Sequence, residues 1–404
     1  MPARRLAARS VVTGLPSAVA FERRPLQTLE RRRADGDMFP LTSLIAGGML
    51  VLAAPELARQ VLHAPSGRFL AGAANQRILP PLPANTLLAL DGAAHRERRS
   101  QLAPLFGGAP LKSIADQLDD LISGELDRWP IGRPFAVLPR LRSLTFSIAA
   151  RLLLGVTDET DLAELKTGLA SGLGPYAMLS GYPTLKRLRS VSPQAAAGRG
   201  RERFAQGLVG VLRGRELPFS ADEAFALLLA GRDTTATALA WALMQLAHLP
   251  GVQRMVADQA AADDRGWVDA VIHETLRVHP PLVDIVRQPA ETVRLAGQHL
   301  QAGTLLMICP ALVGRSNVHP DPGNFNPERF LGRHPDPLGW IPFGGGERRC
   351  LGAPLAMLEL REVLARVIAR FELTPGAPRL EQPRLYGTAV VPSKGGEIVL
   401  TPRS

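Results

Sequence analysis

Apolar residues recur at helical spacing from Ile114 to Trp129, from Leu141 to Leu154 and from Arg203 to Leu212, which predicts three helices. Earlier, Phe39 to Leu52 alternates and turns at Gly47-Gly48 like two strands, and Pro55 opens a short helix ending near His63. Pro65 to Asp91 is rich in Gly, Pro and Asn without periodicity, which predicts a long loop of the kind that usually serves function. The segment from Ala221 to Leu249, stopped by Pro250-Gly251, is apolar around most of its circumference, so it predicts a long central helix buried on nearly all sides. In its middle lies Ala230-Gly231-Arg232-Asp233-Thr234-Thr235, a charged and hydroxylated stretch that is costly to bury unless something there uses it.

After Gly266 a further helix carries Glu274 and Arg277 and ends in the turn His279-Pro280-Pro281. Val293 to Ile308 alternates like small strands, Gly314 to Leu338 reads as irregular, Pro354 to Phe371 as an amphipathic helix, and Glu372 to Leu400 as short strands and turns. The class that results is mainly α with a smaller β-rich region. With no internal repeat and no Gly/Ser linker, residues 1–404 read as one domain, residues 1–20 as a flexible arm.

Composition narrows the function. At 46% hydrophobic residues the chain is globular, not disordered. Its net charge of +10 comes almost wholly from arginine and is spread along the chain; Arg31 to Arg33 is the longest cluster. Without a basic stripe or a reading motif, nucleic acid is not expected as a partner, whereas anionic ligands fit. The two cysteines, Cys309 and Cys350, indicate no disulfide framework and a reducing compartment. A stretch long and apolar enough to span a membrane is missing: Thr234 to Gln253 is broken by threonines, Gln245, His248 and Pro250. The arginine-rich start lacks the apolar core of a signal peptide, so a cytoplasmic location is expected.

The sharpest chemical signal is Phe343-Gly344-Gly345-Gly346-Glu347-Arg348-Arg349-Cys350-Leu351-Gly352. A cysteine here immediately precedes a helix, whose N-terminus presents unpaired N–H groups and partial positive charge, an arrangement that favours thiolate. Glycines permit close backbone approach to a flat cofactor, Phe343 can shield the sulfur, and Arg348 can turn toward an anionic group. The run lacks the Gly-Lys-Ser/Thr ending of a phosphate loop, and no sequence element proposes the histidine partner of a nucleophilic cysteine. Cys309, in the strand-like Leu305 to Cys309, reads as a small buried hydrophobe. Glu274 and Arg277, three apart on a helix, can pair on one face.

The Cys350 loop resembles the haem-binding signature of the cytochrome P450 family, and three other segments match in order: AGRDTT at 230–235, HETLR at 273–277 and FNPERF with Arg329. The resemblance implies the P450 fold, with Cys350 as axial ligand to the iron of haem b, iron protoporphyrin IX. It implies that Phe343, Gly344 and Gly352 shape the cysteine loop and that Ala230 and Gly231 leave room for oxygen and widen the helix locally. Thr234 would hydrogen-bond the iron-bound diatomic and Asp233 would relay protons, although a helix-interior threonine ordinarily bonds its own backbone. Arg232 would turn away into a salt bridge. His95 and Arg99, with Arg287 and Arg348, resemble the residues that hold the propionates. Glu274, Arg277 and Arg329 would form a structural ion network.

The activity so implied is insertion of one oxygen atom from O2 into a largely hydrophobic small molecule, terpenoid, steroid or polyketide-like, with electrons from a ferredoxin-type donor and its reductase. A peroxide-driven peroxygenase and a non-catalytic haem-thiolate sensor or carrier are the alternatives. The stretch from Val156 to Ser220, which the resemblance makes the pocket roof, is short. Leu227, Leu282 to Val286 and Tyr386 to Val391 would face the pocket; among them Asp284 either orients a hydroxyl or amine or caps a turn.

Overall fold

A computed structural model describes residues 15–43, 46–79, 82–179, 193–214, 216–261 and 264–403. Its helices are α1 (Leu15–Arg23), α2 (Pro25–Arg32), α3 (Pro55–Leu62), α4 (Gly72–Ile78), α5 (Gly92–Leu102), α6 (Gly108–Leu126) and α7 (Leu138–Leu154). They continue with α8 (Glu159–Leu179), α9 (Pro193–Leu212), α10 (Ala221–His248), α11 (Pro250–Ala261), α12 (Gly266–Val278), α13 (Pro310–Gly314) and α14 (Ala353–Arg370).

The strands begin with β1 (Met38–Ser43), β2 (Gly47–Leu52), β3 (Phe69–Leu70), β4 (Phe135–Ala136), β5 (Ile285–Pro289), β6 (Val293–Leu295), β7 (Gln298–Leu300) and β8 (Leu306–Ile308). The last four are β9 (Phe371–Pro375), β10 (Pro383–Tyr386), β11 (Ala389–Pro392) and β12 (Glu397–Pro402). Five of them form a sheet in the order β1-β2-β8-β5-β3, in which only the β2–β8 pair is parallel. A second sheet runs β4-β12-β9, and β6-β7 and β10-β11 are hairpins.

The long helix α10 forms where expected. Ser220 caps it by accepting the Glu223 amide at 3.2 Å, Asp222 and Glu223 place negative charge on its first turn, and Pro250 follows its end. From Thr235 to Ala247 every residue is buried. Helices α7 and α14 and strand β11 pack along it, so the largest apolar cluster is built around α10. A second cluster joins α1 and α2 to the five-stranded sheet through Phe21, Leu26, Leu29, Val286 and Met307.

Two expectations change. The segment 65–91 holds strand β3 and helix α4 and is not one unbroken loop. The arm expected over residues 1–20 is already helix from Leu15, with Ala18 fully buried; residues 1–14 lie outside the described set.

Candidate active site

Glu274 and Arg277 lie on one face of α12 and are both fully buried, where an unpaired charge would be severely destabilising. They form a two-toothed pair at 2.6 and 2.8 Å, and Arg329 Nε reaches Glu274 Oε1 at 3.1 Å. Arg277 also donates to the carbonyls of Gly314, Pro322 and Asn324, and the Asn326 amide donates to Glu274. This network pins the irregular segment after α13 to α12, and that segment leads into the cysteine loop.

In that loop the Cys350 amide donates to the Phe343 carbonyl at 2.9 Å, closing the loop 343–350 before α14. Phe343 sits edge-on to Trp340 with ring centres 5.8 Å apart. Gly344 and Gly346 take φ of +68° and +64°, which favours glycine. A Cβ on Gly345 would meet His63 Nε2 at 2.9 Å, and one on Gly346 would meet the Leu62 carbonyl oxygen at 2.1 Å. These two glycines are therefore demanded by packing against the end of α3, a reason the sequence did not suggest. Gly352 caps α14 and faces the ring of Phe106.

Cys350 keeps accessible surface, yet the protein around its sulfur is dense enough that burial pushes the thiol above its ordinary pKa. The amides of Gly352 and Ala353 and the charges of Arg349 and Arg99 act in the opposite direction. The helix N-terminus thus acts as expected, but burial outweighs it. A positive metal bonded to the sulfur would reverse that balance, since the thiolate is the ligating form.

Around the loop four cationic or donor groups converge from three directions. His95 on α5 is buried, its pKa lowered to about 4 by burial and then by Arg348 and Arg99, and its Nδ1 has no hydrogen-bond partner. Arg287 on β5 is buried and lowered to about 10 by burial and by Arg348; its recorded bond is from Nη1 to the Val286 carbonyl at 2.8 Å. Arg348 pairs with Asp91 at 2.6 Å and donates to the Leu90 carbonyl. Arg99 adds a further positive charge that acts on both His95 and Cys350. Three arginines against Asp91 and Glu347 leave a surplus of positive charge, and with the unpartnered His95 nitrogen beside them this fits a dianionic ligand edge.

On α10, Leu227, Ala230, Gly231 and Thr234 keep accessible surface, at i, i+3, i+4 and i+7, on a helix that is buried over most of its length. A Cβ on Gly231 would lie 3.4 Å from Ala149 of α7, so this glycine also serves helix crossing. The helix is continuous α-helix through the hexapeptide, without the local widening expected. Thr234 Oγ1 donates to the Ala230 carbonyl at 2.8 Å, and Thr145 of α7 donates to the Arg232 carbonyl at 2.8 Å. Asp233 is held by Arg142 Nε at 2.6 Å and by Arg232 at 3.5 Å. Arg232 is therefore in a salt bridge as expected, with its own neighbour.

Three participants escaped the sequence reading. Asp91 holds Arg348 and accepts the amides of Ala71, Gly72 and Ala73 at 2.8–2.9 Å. Arg142 carried no motif. Glu359 of α14 is fully buried with its pKa raised well above the carboxylate range by burial; Thr235 is its hydrogen-bond partner and its Oε1 has none. Its only sequence signal was a carboxylate on the inner face of an amphipathic helix.

The chain belongs to the cytochrome P450 family. A family model described as Cytochrome P450 matches residues 221–400. The chain is 33% identical to cytochrome P450 135B1 of Mycobacterium tuberculosis, over 96% of its own length and 89% of that protein. It is 30% identical to cytochrome P450 135A1 of the same species, over 98% of its own length and 97% of that one. Among solved structures, a 6-coordinated cytochrome P450 from Thermus thermophilus is similar at a TM-score of 0.75 and 25% identity, covering 94% of this chain and 98% of that one. A retinoic acid-bound cyanobacterial CYP120A1 shares the fold at a TM-score of 0.77 and 21% identity, covering 93% and 94%. The protein is accordingly a haem-binding oxidoreductase of the monooxygenase type. Among the described residues, no helix is long and apolar enough to cross a membrane.

Proposed function

We propose that the protein inserts one oxygen atom from O2 into a largely hydrophobic small molecule of terpenoid, steroid or polyketide character, and that Cys350 is the residue that would bind the iron of haem b. The balance is R–H + O2 + two electrons + two protons giving R–OH and water, with the electrons drawn from a separate ferredoxin-type donor served by its reductase. The observation that carries this reading is the surplus of positive charge at Arg99, Arg287 and Arg348, with the unpartnered Nδ1 of a neutral His95 beside them, next to a cysteine closed into a glycine loop at the start of α14. A haem bound there would supply the oxygen-activating chemistry.

Each residue of the chain has a part. Arg99, Arg287, Arg348 and His95 would hold the two propionates. Phe343, Gly344 and Gly352 would shape the loop that holds the sulfur. Ala230 and Gly231 leave space beside α10, and the Thr234 hydroxyl, now turned to the Ala230 carbonyl, is one rotamer change from donating outward. Asp233 stores a proton acceptor next to it. Leu227 and Leu282 offer apolar surface, so substrate binding is dominated by hydrocarbon burial at about 25 cal/mol per Å².

Purified holoprotein, reduced with dithionite under carbon monoxide, tests the ligation through its absorption band. Oxidation of reduced cofactor through a surrogate ferredoxin, stimulated by substrate and matched by hydroxylated product, tests the turnover. Tight substrate binding without cofactor oxidation would contradict the enzyme reading.

A further inference from the structure

Asp91 stands at the N-cap position of α5, where an aspartate ordinarily accepts an amide of its own helix, yet its side chain makes no such bond. The carboxylate turns instead to α4 and to the cysteine loop. Oδ1 accepts the Ala71 and Gly72 amides at 2.9 and 2.8 Å, and Oδ2 accepts that of Ala73 at 2.8 Å. Oδ1 also meets Nη2 of Arg348 at 2.6 Å, and the same nitrogen donates to the Leu90 carbonyl. Nη1 reaches the Leu87 carbonyl only at 3.5 Å, so Nη2 carries the attachment to the 87–91 strap and the rest of the guanidinium is left for an anion.

The strap and α4 are bound to each other as well. Asn75 Nδ2 donates to the Leu88 carbonyl at 2.8 Å, and a Cβ on Gly72 would lie 2.2 Å from the Ala89 carbonyl oxygen. Arg348 and Asp91 are both mostly buried, at 9% and 22% side-chain exposure, so water screens their charges only in part. Burial is the largest influence lowering the pKa of His95, Arg287 and Arg348, and Asp91 opposes it in all three. Glu347 does so for Arg287 and Arg348. One carboxylate thus anchors α4, fixes Arg348 and acts on three of the four groups assigned to the propionates.

We infer that Asp91 is a positioning residue for the haem edge: by fixing Arg348 and offsetting part of the arginine charge, it sets how firmly haem is retained and how readily its iron is reduced. This inference rests on the haem-thiolate reading. A nearby negative charge favours the more positive, oxidised form of the iron, so removing it raises the reduction potential. An unpinned Arg348 must lose side-chain freedom when it meets a propionate, so haem leaves faster.

Asp91→Asn removes the charge and keeps an acceptor oxygen. It is tested on the purified holoprotein by redox titration and by the rate of haem transfer to excess apomyoglobin. The expected results are a raised potential and haem transfer about tenfold faster. Asn75→Ala, which loosens the strap without altering charge, is expected to leave the potential in place. An unchanged potential or unchanged haem transfer in Asp91→Asn overturns the inference, as does an equal rise in potential in Asn75→Ala. If Asp91→Asn does not load haem, Asp91→Glu decides, because it keeps the charge but alters the reach of the carboxylate. Its potential should stay and its haem transfer accelerate; a raised potential, or haem transfer no faster, overturns the inference. Failure of the haem-thiolate reading shows separately, as absence of the thiolate-type carbon monoxide band in the unaltered protein.

Discussion

Arg142 Nε lies 2.6 Å from Asp233 Oδ1, and the same guanidinium rests 4.3 Å above the ring of Tyr386. One side chain of α7 thus ties the acid of the central helix to the end of the β10–β11 hairpin. Both partners of the ion pair are mostly buried, at 13% and 15% exposure, so each would be left costly if the other were removed. Arg142→Ala is expected to destabilise the holoprotein by about 1–3 kcal/mol. In a double-mutant cycle with Asp233→Asn, urea unfolding should return a coupling of at least ~1 kcal/mol. Strict additivity would contradict the pairing.

Thr234→Ala is expected to leave haem content unchanged and to divert reducing equivalents into peroxide, because the hydroxyl beside Asp233 is lost. Peroxide formed per cofactor oxidised is the measurement. Coupling equal to that of the unaltered protein would remove Thr234 from the account.

Breaking the buried Glu274–Arg277 pair should be far more damaging than its sequence spacing suggests. Glu274→Gln leaves a fully buried arginine underpaired, at a cost of about 3–5 kcal/mol. Arg277→Lys should fare little better, since one ammonium cannot serve the carboxylate and the carbonyls of Gly314, Pro322 and Asn324 together. Yield of soluble holoprotein checks both variants.

Acid should destabilise the fold through His279. Its ring stacks on Trp241 at 4.1 Å, bonds Gln245 at 2.9 Å, and is held neutral by burial and then by Arg277, with its pKa lowered from 6.5 to about 3. The unfolded chain takes up a proton near 6.5 and the folded one does not until about pH 3, so stability falls as pH drops through that window. The slope from this one group is about 1.4 kcal/mol per pH unit. His279→Phe, which keeps the stacking, should lose less stability than the unaltered protein between neutral and mildly acidic pH in urea titrations. An equal loss would exclude His279 as the source.

Much of the site was legible because its chemistry is local in the chain. The glycine loop before Cys350, the Glu274–Arg277 spacing and the polar hexapeptide of α10 each announce themselves within ten residues. What was hidden depends on contacts across the chain. Helix α4 lacks periodicity and is held by the Asp91 carboxylate, which caps its first amides from twenty residues away. A Cβ on Gly72 would lie 2.2 Å from the Ala89 carbonyl oxygen, so close approach of the two segments shapes this region more than propensity does. Arg142 meets Asp233 from another helix, and no pattern around Arg142 marks it. Gly345 and Gly346 were read as making way for a cofactor, while the packing of α3 against them is what a side chain would first disturb.

The central claim is that Cys350 supplies the sulfur to the haem iron, and the absorption spectrum of the dithionite-reduced carbon monoxide complex tests it most directly. Cys350→Ser should lose the thiolate-type band, because a neutral alcohol is a poor donor to iron. Cys309→Ser, at a fully buried position whose thiol is pushed up to about 12, should keep that band. A thiolate-type band that survives in Cys350→Ser and vanishes in Cys309→Ser would contradict the account.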